Sequence, residues 1–509
     1  MSGPDGRGRR PGAAPSGRPR TAAAPGERGI RPRPAARVKA PSRGPRPGPA
    51  GACKPKARDV HPSEKAAAVP PVLAYYLKLA LKSMRRNPVM TGLMVAAVAV
   101  GIGISMTTLT VHHVMSGNPI PAKSERLFAV TLDSWSPLRP FDDDRPERAP
   151  HQLTHRDAEA LLRLGQGVRQ TAMFESSLVI EPLGDTELPF EVTSRVTAGD
   201  FFAMFDVPFL YGGGWDREAD RNAEPVVVLT RALNERLFGG ADSTGERLSM
   251  QGRQFTVVGV IDDWEPTPRY YDPINGAFQE VRDTFIPFSL TRPLELNSIG
   301  SDWGWKAQDI NSFDDWLNSE SVWIQYFVEL ASPRDRGSYV AHLDAYVEEQ
   351  KLAGRFERPM NNNVYDVMEW MAYHEVVDND ARVLVGLSFL FLLVCVLSTV
   401  ALLITKFMGR RGEVSVRRAL GASRGAIFRQ QLVEVAAIGF TGGLFGLSFA
   451  WAGLRGIDYL YDTPDGLVRM DWVMVATAIA ISIASGILAG LYPAWRVCQV
   501  QPAAQLKAQ

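Results

Sequence analysis

His151 and His155 stand four residues apart in HQLTH, a spacing that puts two imidazoles on one helical face and can hold zinc. The residue after His151 is Gln152, not the glutamate that would make the pair a metalloprotease site. Thr154 with Asp157 three residues on reads instead as a helix start, which leaves the histidines without a joint role. The acidic run Asp142, Asp143, Asp144 reads as a solvated loop. No G-x-x-x-x-G-K-[ST] phosphate loop occurs, and no serine, cysteine or carboxylate pair stands in a catalytic context. The expectation is a chain that is no enzyme, with no cofactor, no metal and no nucleic-acid partner.

A second kind of chemistry is electrostatic. The stretch GEVSVRRALGASRGAIFRQQLVEV carries Arg417, Arg418, Arg424 and Arg429 against only Glu413 and Glu434, directly after a long apolar run. EVSVRRAL reads as a short helix ended by Gly421, and Ser423 can cap a new helix that enters the next apolar run. Positive-inside topology alone explains the arginines. It does not call for Val414, Val416 and Leu420, whose apolar side chains suggest docking.

These residues must be positioned by membrane elements. Apolar runs at 89–109, 383–405, 432–454 and 472–492 are each near the roughly 20 residues needed to cross a bilayer. None carries a charge at its centre, where one would cost about 2.5–3.5 kcal/mol. Gly101, Gly103 and Ser105 in the first run, and Gly439, Gly442, Gly443 and Gly446 in the third, predict close helix packing. Before the first run, 72–88 reads as an amphipathic helix. Its apolar face is Leu73, Tyr76, Leu77, Ala80, Leu81 and Met84, and Lys78, Lys82, Arg85 and Arg86 project elsewhere, as suits the headgroup layer of membrane lipid.

Orientation follows from the short flanks. Lys78 to Arg86 include four basic residues and no acid, and Lys406 to Arg429 include seven basic residues and one acid. The loop 455–471 has two basic and four acidic residues, so both termini are expected in the cytoplasm and this loop in the periplasm. Segment 1–71 holds 16 Lys/Arg and 4 Asp/Glu among Pro, Gly and Ala, and reads as a disordered cytoplasmic tail. Segment 406–431 then joins two spans on the cytoplasmic side, and 493–509 is a cytoplasmic C-terminal tail.

Residues 110–380 form a large domain between the first and second spans. PVVVLT reads as a buried strand, and Thr230 caps RALNERLFGG, a helix closed by Gly239. RLSMQGRQFTVVGVIDD reads as a hairpin turning at Gln251–Gly252, VWIQYFVEL as a strand, and SYVAHLDAYVEEQKLAG as a helix ending at Gly354. The fold class is therefore an α-helical membrane protein of four transmembrane helices with an inserted α+β periplasmic domain. The cysteines are Cys53, Cys395 and Cys498, so that domain has no disulfide framework.

GEVSVRRALGASRGAIFRQQLVEVAAIGFTGGLFG resembles the signature of the FtsX-like permease domain, and GILAGLYPAWRVCQVQPAAQLKA its closing motif. VTAGDFFAMFDVPFLYGGGW, PVVVLTRALNERLFGG and GERLSMQGRQFTVVGVIDD resemble the MacB-like periplasmic core domain. Ser415 departs from the pattern, standing where the family usually has glycine. The resemblance implies the permease subunit of an ABC transporter, driven by a separate cytoplasmic ATPase subunit and paired with a second copy or a sibling permease. A periplasmic adaptor or outer-membrane channel is a further implied partner. It also implies that Glu413 to Ala422 is a coupling helix seated on the ATPase, with Val414, Val416 and Leu420 as apolar contacts. Arg417 and Arg418 would meet acidic or carbonyl groups there, and Gly421 and Ala422 are the last residues of the seated segment. The alternative is a signal relay that transports nothing and regulates a periplasmic hydrolase.

Overall fold

The computed structural model describes residues 71–182, 188–377, 379–461 and 472–499. The basic tail of 1–70, residues 462–471 of the expected periplasmic loop and the C-terminal stretch from 500 lie outside the described residues.

The amphipathic helix α1 (Pro71–Arg86) is followed by α2 (Pro88–Ser116), which starts with proline in its first turn, where the missing N–H costs nothing. At 29 residues and about 1.5 Å per residue, α2 outruns the roughly 30 Å bilayer core. Its backbone bonds continue past the expected boundary at 109, because helix length is not limited by the apolar run.

The inserted domain carries strands β1 (Leu127–Thr131), β2 (Leu153–Thr154), β3 (Arg169–Glu181), β4 (Phe190–Thr197), β5 (Phe209–Gly212) and β6 (Val226–Leu229). Strands β7 (Arg247–Met250), β8 (Arg253–Ile261), β9 (Thr284–Pro287), β10 (Val322–Glu329) and β11 (Asn363–Asp366) complete one mixed sheet. Its main order is β11-β1-β10-β3-β4-β9-β6-β8-β5, with β4–β9 and β6–β8 parallel. Helices α3 (His155–Leu164), α4 (Asp200–Met204), α5 (Arg217–Asn222), α6 (Arg231–Phe238), α7 (Phe313–Leu317), α8 (Arg336–Leu352) and α9 (Val367–Tyr373) surround it.

Both faces of this sheet are covered, so its central strands are apolar on consecutive residues rather than alternate ones. In β6, Val227 and Leu229 join the core that holds Phe174 and Trp323, whereas Val226 and Val228 join the core that holds Phe201 and Trp370. The expected hairpin forms as β7–β8, with Gln251 and Gly252 both at positive φ. Thr230 caps α6 by accepting from the Leu233 N–H, and Gly239 closes it in the left-handed region.

Three long helices complete the chain: α10 (Asn379–Met408), α12 (Arg424–Tyr461) and α13 (Trp472–Cys498), with the short α11 (Arg411–Ala419) between the first two. With α2 they are the four helices long and apolar enough to span a bilayer among the described residues. Helix α12 runs into the segment expected to be loop from 455. The helices touch through small residues: a Cβ on Gly439 would lie 2.8 Å from the Ser482 carbonyl oxygen, and one on Gly486 would lie 3.1 Å from the Gly439 Cα.

Helix α1 lies against the bundle and splits its expected apolar face. Ala80 is buried and Met84 packs on the bundle core, while Leu77 and Leu81 stay exposed on the other side. Apolar residues on both sides suit a helix that meets the bundle on one side and the headgroup layer on the other.

Candidate functional site

Of the residues singled out in the sequence, those of 413–422 lie on α11 and the turn after it, between the spans α10 and α12, whereas the histidines lie in the α+β domain. Helix α11 is short because its chemistry closes it. Leu420 is its C-cap, Gly421 follows at φ +99°, Ala422 N–H donates to the Arg417 carbonyl at 3.0 Å, and Gly421 N–H donates to that of Arg418 at 3.1 Å. This pair of bonds is a Schellman motif, and only glycine adopts that backbone without strain. Ser423 then accepts from the Ala426 N–H at 3.2 Å and opens α12.

The faces of α11 differ sharply. Val414 is buried among Leu403, Phe407 and Ile427 of the chain's own bundle, so its side chain is not free to touch a partner. Ser415 is buried beside it and donates to the Arg411 carbonyl at 2.9 Å, which explains why a small residue stands there. Ala422 packs against the same core. Val416 and Leu420, one turn apart, are 52% and 83% exposed. Glu413 pairs with Arg417 at 2.7 Å on α11 and with Arg86 of α1 at 3.5 Å. Arg417 also donates to Gln430 at 3.1 Å, and Arg418 donates to the Cys498 carbonyl at the end of α13 at 3.4 Å. The helix is thus pinned to α1, α12 and α13 and presents an apolar pair outward.

Beneath it lies a charged cluster that sequence reasoning missed. Lys406 Nζ sits 2.8 Å from Glu434 Oε1 and 3.3 Å from the Thr91 hydroxyl. Arg410 reaches the same carboxylate at 3.3 Å, and Ser83 of α1 donates to it. The cluster therefore joins α1, α2, α10 and α12. Its signal in the sequence was an acid inside an apolar run with a lysine at the end of the preceding one.

The histidine pair does not form a site. Thr154 caps α3 by accepting from the Asp157 N–H at 3.1 Å, so His155 begins the helix and His151 lies outside it. His155 stacks on Phe288, while the His151 ring lies against Phe141 and His374. Burial lowers His151 and His155 to about 4, with Arg148 adding to the first and Arg292 to the second. Among the described residues no group of three or more His, Cys, Asp or Glu could hold a metal. Asp142 accepts from the Asp144 and Arg145 N–H groups and closes a turn.

Two family profiles cover this architecture in order. The MacB-like periplasmic core domain matches residues 91–346, and the FtsX-like permease C-terminal domain matches 385–502. The chain belongs to the MacB/FtsX-like family of ABC transporter permeases. It is similar to the macrolide export ATP-binding/permease protein MacB of Azoarcus sp., 20% identical over 85% of this chain and 59% of that protein. The MacB of Rhodospirillum rubrum is 23% identical over 85% of this chain and 60% of its own length. The pyoverdine export ATP-binding/permease protein PvdT of Pseudomonas syringae is 22% identical over 61% and 42% respectively. The chain thus spans 59% and 60% of the length of the two MacB proteins. The crystal structure of the periplasmic region of MacB from Actinobacillus actinomycetemcomitans aligns over 51% of this chain and 96% of that one, at 14% identity and a TM-score of 0.31. As a MacB/FtsX-like permease the chain is a multi-pass inner-membrane protein with its α+β domain in the periplasm.

Proposed function

We propose that this permease relays ATP-driven motion of a separate cytoplasmic ATPase subunit to its periplasmic domain, for export or for handling an envelope substrate. Two permeases, as copies or siblings, work with two ATPase subunits, and a periplasmic adaptor or outer-membrane channel receives what they move. The reading is carried by one observation. Helix α11 stands on the bundle end with Val416 and Leu420 exposed and Val414 locked into the bundle core. A rigidly mounted helix with an apolar tip transmits a push instead of absorbing it. Glu413, Arg417 and Arg418 hold its orientation, and Gly421 with Ala422 closes it.

The basic flanks support termini on the cytoplasmic side, with α1 and α11 beside the ATPase. Relatives named for macrolide and pyoverdine export favour export over a signal relay. Topology is tested with single cysteines in spheroplasts. A Leu420→Cys permease is expected to stay unlabelled by an impermeant maleimide and an Asp242→Cys permease to be labelled. The opposite pattern would invert the proposal.

A further inference from the structure

A cleft of about 680 Å³ opens in the periplasmic domain between α3, α5 and the segment from Phe288 to Pro293. That volume lies within the range of about 300–1,000 Å³ typical of small-molecule sites, which favour junctions between packed units. Here α3 belongs to the core on one face of the sheet, and α5 to the core on the other.

The lining has two characters. Leu162, Ala198 and Phe288 give it an apolar wall, and His155 stacks on Phe288 with ring centroids 5.4 Å apart. The Ser289 hydroxyl oxygen on this wall is buried with no hydrogen-bond partner among the described residues. A buried polar atom without a partner is uncommon, and a ligand group is one way to satisfy it.

Arg163, Arg217, Arg221 and Arg292 line the same cleft. The acids beside them are largely spent. Arg217 holds Asp200 at 2.8 Å, and Arg163 lies 3.9 Å from Glu159. Asp220 accepts from the Gly199 N–H at 2.7 Å and the Trp215 indole at 2.8 Å, and burial pushes its carboxyl up to about 6. Arg292 pairs with Asp314 at the surface, where such pairs hold weakly. Arg221 has no ion-pair partner among the described residues. An arginine without a carboxylate partner thus stands at the edge of the apolar wall.

We propose that this cleft binds an amphipathic anion, an apolar chain or ring against Leu162, Ala198 and Phe288 with a carboxylate or phosphate at Arg221 and Arg292. The inference stands apart from the coupling reading, because binding here needs no ATPase. The full chain in nanodiscs is exposed to a diazirine-bearing fatty acid, irradiated, and mapped by peptide mass spectrometry. Labelling is expected within 155–167, 217–223 or 288–293. Excess dodecanoate or dodecyl phosphate should compete, the two separating a carboxylate from a phosphate preference, whereas dodecanol and inorganic phosphate should not.

Arg221→Glu with Arg292→Glu is expected to cut cleft labelling at least tenfold and leave labelling of the spans unchanged. Both arginines are exposed, so the variant should keep the fold, and near-UV circular dichroism checks that it has. Labelling confined to the spans would overturn the proposal. So would competition by dodecanol as strong as by dodecanoate, or cleft labelling unchanged in a folded double variant.

Discussion

The Lys406 ammonium lies 2.8 Å from the Glu434 carboxylate, with side-chain exposures of 0% and 3%. Charges this deep persist only when their partners offset the desolvation they suffer. Here the partners come from four helices, so the pair ties the span from the periplasmic domain to the span that follows α11. Breaking it on one side should destabilise the permease more than removing both charges.

That comparison is the first prediction. Glu434→Ala leaves Lys406 buried with only the Thr91 hydroxyl and is expected to cost about 3–5 kcal/mol. Lys406→Met with Glu434→Leu removes the fully buried pair, leaves Arg410 with the Ser83 hydroxyl at 2.6 Å, and should recover part of that loss. Thermal unfolding of the purified variants at equal detergent checks it. A double variant no better than Glu434→Ala would contradict the pairing.

A second prediction tests helix contact. Gly439→Val puts atoms onto the Ser482 carbonyl and the Gly486 backbone, neither of which can move aside, and overpacking of this kind costs about 1–3 kcal/mol. A Cβ at Gly425 meets nothing within 4 Å, so Gly425→Ala in the first turn of α12 should be neutral or stabilising. Equal unfolding temperatures for the two variants would argue against the α12–α13 contact.

The third prediction concerns pH. His151 and His155 are lowered to about 4, and His374 to about 3, in each case first by burial. A lowered histidine is neutral in the fold but protonates near 6.5 once unfolded, so stability falls as pH drops from about 6.5 toward 4. Between pH 7 and 5 each should cost about 1–2 kcal/mol. Asp220 works in the opposite sense: raised to about 6, it binds its proton more tightly when folded, so its contribution grows as pH falls from about 6 toward 4. Burial alone would raise Asp157, but the Arg355 guanidinium bonded to it holds it below its usual value, so its loss comes at still lower pH. Denaturant unfolding followed by tryptophan fluorescence should show the acid loss, and His151→Phe should flatten it. A slope unchanged by that variant would mean the buried imidazoles do not set it.

The features legible in the sequence were those written in local pattern. The spans, the Thr154 and Thr230 caps, the turn at Gln251–Gly252 and the stop at Gly421 each rest on a few neighbouring residues. What was not legible depends on residues far apart in the chain. Glu434 meets Ser83 across 351 positions, and Arg355 meets Asp157 across 198. Val414, Val416 and Leu420 looked alike as apolar residues of one short helix. Helix phase alone could not say which of them the bundle would bury, because that depends on where Leu403 and Ile427 arrive.

The central claim is that α11 drives the relay through its exposed apolar tip, and one measurement tests it most directly. Val416→Asp with Leu420→Asp puts two carboxylates where apolar contact with the ATPase is proposed, 52% and 83% exposed in the permease itself. The variant should insert and fold normally, because neither residue lies in a span or in the bundle core. Burying an unpaired charge at a contact costs about 3–5 kcal/mol, roughly two to four powers of ten in affinity. Co-purification of the ATPase subunit is measured with wild-type and doubly substituted permease at equal membrane abundance. The account predicts that ATPase recovery collapses in the variant. Undiminished recovery with unchanged ATP hydrolysis would contradict it and leave α11 as no more than a turn between two spans.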